Sequence, residues 1–142
     1  MGLALLLLLH FWPSCPAEGW VTSEYGYRRH PISHRRQFHR GIDVANEAGT
    51  PVRSPWKGQV VKVTRSRHGG RFVVVQSGVF RLTFFHLQST TVTRGDQLDP
   101  GDQLGLMGSS GRTTGPHVHL EMRSRGRTLD PSVTLLRCPT RP

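Results

Sequence analysis

The sequence predicts a mainly β protein, folded as a single antiparallel β-sheet domain. Three observations carry that expectation. Short runs rich in β-branched and aromatic residues recur from Trp20 onward, with the length of strands rather than helices. Turn dipeptides such as Gly69-Gly70 and Ser77-Gly78 separate them. No window sustains a 3.6-residue apolar period, so no amphipathic helix is expected. A chain of 142 residues is one domain's worth. Its abundant Gly and Pro suit a turn-rich β protein better than a helical bundle.

The first element is an address rather than a fold. The run from Leu3 to Trp12 is apolar apart from His10, and it is too short for a membrane span, which takes about 20 residues. It fits the apolar region of a secretory signal, with small residues from Ser14 to Ala17 and Ala17 as the cleavage point. Residues 1–17 are therefore expected to be a signal or membrane-targeting segment, and 18–142 the folded domain. No later segment is apolar enough to cross a bilayer. Of the two cysteines, Cys15 and Cys138, neither has CxxC spacing, which argues against a zinc-thiolate site. They can pair in an oxidising compartment, whereas a cut after Cys15 leaves Cys138 alone.

The strands follow in order. Gly58 to Thr64 is β-branched, Arg71 to Gln76 carries Phe-Val-Val-Val, and Arg81 to Leu87 ends on Phe-Phe-His-Leu. Gln103 to Met107 is a short apolar run, His117 to Arg123 alternates, and Thr128-Leu129 closes the sheet. Gly95-Asp96-Gln97-Leu98 recurs as Gly101-Asp102-Gln103-Leu104, two successive turns rather than a repeat architecture. The Arg94-Gly95-Asp96 tripeptide is read as part of the first turn. Gly108 to Gly115 lacks the Gly-Lys-Ser/Thr ending of a phosphate cradle and is expected to be a flexible loop delivering the next strand.

Net charge is +10, with arginine far ahead of lysine, so anionic partners are expected. Arg28, Arg29, Arg35, Arg36 and Arg40 cluster in one stretch, either a solvated loop face or a contact for anionic polymer. Nucleic acid is not the expected partner. Stacking on bases needs aromatics interleaved with Arg on one strand face, but the adjacent Phe84 and Phe85 point to opposite faces and the arginines lie in a loop.

Three motifs carry chemistry. In His117-Val118-His119-Leu120-Glu121-Met122, strand alternation puts His117, His119 and Glu121 on one face and Val118, Leu120 and Met122 on the other. The two imidazoles are spaced roughly 6.5–7 Å along the strand, which suits one on a metal and its neighbour on bound water or substrate. In Phe38-His39-Arg40-Gly41-Ile42-Asp43, a His and a carboxylate lie four residues apart, and Gly41 is expected to permit a turn between them. His86 ends the third apolar strand. A catalytic zinc site takes three protein ligands and leaves one position open. His39, Asp43 and one His of the His-x-His pair supply three, and the remaining two imidazoles can handle a proton and a developing oxyanion. Long loops would surround this zinc cleft. Glu121 is expected to pack at the sheet edge, with orientation of His119 as the alternative. His30, His34 and His68 lie in Arg-rich or Gly-rich turns and receive no role.

In that order, the His-x3-Asp, Phe-His-Leu and His-x-His motifs resemble the lysostaphin/LytM-type zinc endopeptidases. Ser23-Glu24-Tyr25-Gly26-Tyr27-Arg28 resembles the family's opening motif. Gly49-Thr50-Pro51-Val52 and Gly58-Gln59-Val60-Val61 resemble its first strands, and Gly111-Arg112-Thr113-Thr114-Gly115-Pro116-His117-Val118-His119 its signature. The resemblance runs from Trp20 to Pro131, and Phe85 departs from it by standing where a small residue is usual. It implies one Zn2+ held by His39, Asp43 and His119, with His86 and His117 as catalytic histidines and His117 favoured as base. It also implies peptidoglycan peptides as substrate, anionic cell-wall polymer at the basic loop, and a periplasmic or extracellular setting. The competing expectation is a catalytically silent module that binds cell wall and regulates a wall hydrolase.

Overall fold

The structure, a computed structural model, describes residues 15–134 and 138–140. The apolar run from Leu3 to Trp12 lies outside the described residues. Among those described, no helix is long and apolar enough to cross a membrane.

Twelve strands and one short helix follow one another: β1 Trp20–Ser23, β2 Gly26–Arg29, β3 Arg36–His39, β4 Gly41–Ala45, β5 Pro51–Arg53, β6 Gly58–Ser66, β7 Gly70–Ser77, β8 Phe80–Thr90, β9 Gln97–Leu98, β10 Gln103–Met107, β11 His117–Ser124, β12 Arg127–Leu129 and α1 Pro131–Thr134. Ten strands form one sheet in the order β1-β4-β11-β8-β7-β6-β9, with β10 joining β5 and β8 and β12 joining β11. The described ladders within it are antiparallel. β2 and β3 form a separate two-stranded ribbon.

The expected strands are all present: β10 keeps the expected bounds, and the others are extended by one to four residues where pairing outlasts the apolar pattern. Two-residue turns at Gly78-Val79 need a residue with positive φ, and Gly78 supplies it at 57°. The echoed Gly-Asp-Gln-Leu segments are two turns of the same design. Asp96 accepts from the backbone N–H of Thr93 and Asp102 from that of Asp99, and the two turns lead into β9 and β10 respectively.

One face of the sheet makes the core. Ile42 and Val44 of β4, Val118, Leu120 and Met122 of β11, Leu82 and Phe84 of β8, and Val73 and Val75 of β7 are all buried. Each such side chain stabilises the fold by about 1.5–3 kcal/mol relative to exposure. The alternation that buries these residues turns Asp43, His117, His119 and Glu121 to the opposite face.

Gly41 does not sit in a turn. It opens β4, beside Glu121 of β11, and a Cβ there would collide with the Leu120 carbonyl. The residue is needed for close strand approach, and the sequence expectation of a turn is corrected accordingly.

The described segments nearest the two ends of the chain are bound to the body. Cys15 and Cys138 form a disulfide across a separation of 123 residues. Cys15 and Ala17, which the sequence reading put at the end of the targeting segment, are buried in the core. The Pro16 carbonyl accepts from Arg53 N–H and the Pro139 carbonyl from Val21 N–H.

Candidate metal centre and active site

Register builds the site. Asp43 lies directly opposite His119 in the β4–β11 ladder, and His119 lies opposite Phe85 of β8. Directly opposed residues have Cβ atoms about 4.5–5.5 Å apart, so the Asp43 and His119 side chains meet. His39, the last residue of β3, reaches the same point from the separate ribbon. Asp43 Oδ1 is 2.7 Å from His119 Nδ1 and 3.2 Å from His39 Nε2, and the two imidazole nitrogens are 3.1 Å apart. Among the described residues these three form the group with metal-ligand geometry.

The donor set fits a zinc ion. Tetrahedral bonds of about 2.0–2.2 Å would hold the donors roughly 3.3–3.6 Å apart, so shifts of a few tenths of an ångström suffice. The far sides of both rings are already engaged. His39 Nδ1 donates to the Glu24 carbonyl at 2.8 Å, which turns Nε2 toward Asp43 and the metal position. His119 Nε2 donates to Glu121 Oε1 at 3.3 Å, and Arg123 braces Glu121 at 3.2 Å. Glu121 therefore orients His119, the alternative rather than the expected packing role.

The electrostatics follow from these contacts. Burial opposes ionisation of Asp43, but hydrogen bonds from His119 and His39 outweigh it and hold the carboxyl far below its ordinary range. Burial would lower His119, yet hydrogen bonds with Asp43 and Glu121 push it up to about 9. For Glu121, burial is again outweighed, first by the hydrogen bond and charge of His119 and then by Arg123, so the carboxyl is lowered and ionised at neutral pH. A metal held at His119 Nδ1 would take the place of the proton shared with Asp43, and His119 would keep its Nε2 proton, donated to Glu121.

His117 and His86 stand beside this triad. His117 Nδ1 donates to the Gly115 carbonyl at 2.9 Å, so Nε2 is an acceptor, 3.7 Å from Asp43 Oδ1. His86 Nδ1 donates to the Ser110 carbonyl at 2.8 Å, and its ring centroid is 4.8 Å from that of His117. His86 is pushed below its ordinary value by burial chiefly, with His117 and His119 adding to the effect and the Ser110 carbonyl opposing it.

His86 also marks a bend in β8. Its φ is 66°, a left-handed value that a non-glycine residue holds at about 1–3 kcal/mol. Before it, β8 pairs with β11 and β7; after it, Leu87 still pairs with Arg71 of β7, and β10 takes the place of β11. The loop from Gly108 to Gly115, expected to be flexible, is pinned near this bend. Ser110 Oγ donates to the Leu87 carbonyl and accepts from Arg71 N–H. Phe85, the departure from the resemblance, lies between Phe72 and His119, with ring centroids 5.1 and 5.6 Å away.

Two cavities, of about 710 and 680 Å3, flank the site, and both are lined by Asp43 and His117. The structure thus brings all five histidine and aspartate candidates together. His30 and His68, left without a role by their turn context, also line the larger cavity. The carbonyls of Glu24, Ser110 and Gly115 carry no side-chain signal that a sequence could reveal.

A sheet that presents a His-Asp-His ligand set between two tethered imidazoles, in a cleft open to solvent, defines a metal-dependent hydrolase domain. Comparison makes the class specific. The model of peptidase family M23 matches residues 37–131, and the chain belongs to that family. It is 38% identical over 112 residues to the peptidoglycan DD-endopeptidase ShyA of Vibrio cholerae, covering 78% of this chain and 26% of that protein. It is 34% identical over 120 residues to the DD-carboxypeptidase/endopeptidase Mpg of Neisseria meningitidis, covering 84% and 28%. The chain thus spans about a quarter of the length of these curated relatives. Among solved structures, a zinc-containing peptidase from Vibrio cholerae superposes with a TM-score of 0.77 at 29% identity, covering 92% of this chain and 40% of that one. The catalytic domain of lysostaphin from Staphylococcus simulans gives 0.75 at 28% identity, covering 82% and 92%.

Proposed function

We propose that this chain is a zinc-dependent endopeptidase that hydrolyses peptide cross-links or bridges of bacterial peptidoglycan in the cell envelope. The observation that carries the reading is the pair of cavities meeting at Asp43 and His117. A peptide can continue past the site on both sides, as internal cleavage requires. The names of the relatives in Vibrio cholerae and Neisseria supply the substrate class.

His39 Nε2, Asp43 and His119 Nδ1 would hold the ion. Zinc supplies a Lewis acid that acidifies water and polarises a carbonyl. His117 Nε2 takes the proton from the attacking water and returns it to the leaving amine. His86, whose pKa burial lowers, stands beside His117 as the second imidazole at the reacting centre. Phe85 covers the ring of His119 and limits water on that side.

The basic loop supports a second part of the reading, contact with anionic cell-wall polymer through Arg35 and Arg36. Arg36 already sits over the exposed Tyr27 ring at 4.5 Å. Arg35→Gln with Arg36→Gln should weaken pelleting with cell wall most at low salt, and unchanged pelleting removes the idea. Export through the N-terminal segment completes the reading, and the disulfide favours a mature chain that retains Cys15.

The test is incubation of the full chain with purified sacculi, with and without zinc, beside Asp43→Ala. Zinc-dependent release of peptide fragments, absent in the variant, is expected. Binding without cleavage by folded, zinc-loaded protein would instead support a regulatory wall-binding module.

A further inference from the structure

We propose that Arg28 of the β2–β3 ribbon and Arg112 of the Gly108–Gly115 loop, lining the same cleft, form a carboxylate-binding subsite that selects peptides carrying a free carboxylate beside the scissile bond. The inference deepens the peptidase reading and rests on it for the identity of the substrate.

Four observations carry it. Arg28 lines both cavities and Arg112 lines the larger one, so both residues border the path of a bound peptide. Neither side chain has a hydrogen-bonding or ion-pair partner among the described residues. The acids of the larger cavity are already engaged, Asp43 by His39 and His119, and Glu121 by His119 and Arg123. The cleft therefore carries unanswered positive charge, and a substrate carboxylate would answer it with charge-assisted hydrogen bonds.

Fourth, both arginines are held on anchored backbone. Arg28 is paired with Gln37 in the β2–β3 ribbon. The turn of that ribbon is shaped by His30, whose Nδ1 accepts from the N–H groups of Ile32 and Ser33. Arg112 N–H donates to the His68 carbonyl at 2.8 Å, and Gly111 packs directly on the Gly70 backbone. Arg28, His30 and Arg112 all line the larger cavity. Such preorganisation lets a ligand bind without ordering the loops first.

The test uses the full chain and a matched pair of cross-linked muropeptides, one with carboxylates and one with carboxamides flanking the scissile bond. Binding of each is measured on chelated, zinc-free protein by fluorescence anisotropy, and kcat and KM are measured on zinc-loaded protein. Wild type should bind the carboxylate peptide at least about tenfold more tightly, the effect of one charge-assisted hydrogen bond. Arg28→Gln and Arg112→Gln should each erode that preference, and the double variant should abolish it. In the double variant, KM for the carboxylate peptide should rise, while kcat and affinity for the carboxamide peptide hold. Arg94→Gln removes an exposed charge that lines neither cavity and should change nothing.

Equal binding of the two peptides by wild type would overturn the proposal. A preference that survives in the double variant, or one lost equally in Arg94→Gln, would do the same. If wild type binds with the expected preference but cleaves neither peptide, the subsite stands and the peptidase reading falls.

Discussion

Replacing Glu121 with Gln isolates what the carboxylate does for the metal. The amide keeps the size and one acceptor oxygen but loses the charge. In the wild type that charge faces His119 Nε2–H at 3.3 Å and raises the electron density the ring offers from Nδ1. Partners of this kind typically contribute 10- to 100-fold in metal affinity. The 3.3 Å separation is longer than the roughly 2.7–2.9 Å of a strong charge-assisted bond, and Arg123 draws on the same carboxylate. The lower end is therefore expected, about tenfold or about 1.4 kcal/mol. Zinc affinity would be measured by competition with a chromogenic chelator, beside urea unfolding of the chelated protein. A Glu121 that only packed at the sheet edge would lower stability in urea and leave affinity unchanged. That result would refute the reasoning.

Further expectations come from other parts of the molecule. Gly41→Ala should prevent β4 from closing on β11 and abolish soluble folded protein, because its Cβ would meet the Leu120 carbonyl; native-like near-UV circular dichroism of the variant would contradict this. Cys138→Ser should lower stability by up to about 5 kcal/mol, from the loop entropy of a 123-residue separation, and denaturant midpoints in oxidised and reduced samples measure it. The pH dependence of the chelated protein has a definite sign. His119 is raised to about 9, so its contribution is complete below about pH 6.5, the unfolded value, and is lost as pH rises through 9. The melting temperature of chelated protein should fall across that window while zinc affinity rises, because Nδ1 releases its proton on binding.

Parts of this design are written plainly in the chain and parts are not. The alternation of His117 to Met122 gave both the buried face and the ligand face of β11, because a strand's period of two is imposed by the backbone alone. The β-branched runs of β6 to β8 were legible for the same reason. The strands from Trp20 to Ala45 were not delimited on pattern because each has only four or five residues, and β2 and β3 carry arginines in place of an apolar pattern. β3 exists through its pairing with β2, not through its burial, which is slight before His39. Gly41 looked like a turn residue because a glycine tolerates many environments, and only the position of β11 reveals which one applies. The left-handed backbone of His86 and the three carbonyls that fix ring tautomers depend on tertiary placement.

The ribbon of β2 and β3 stands apart from the main sheet, yet its last residue is His39, and only Arg40 separates that ligand from β4. One donor thus belongs to an appendage and two to the rigid floor beneath it. An ion held by all three is a rivet through two plates. While it is seated, the ribbon and everything it carries, Arg28 included, is registered against the sheet. Any force that lifts the ribbon spreads the donors, and anything that settles it gathers them.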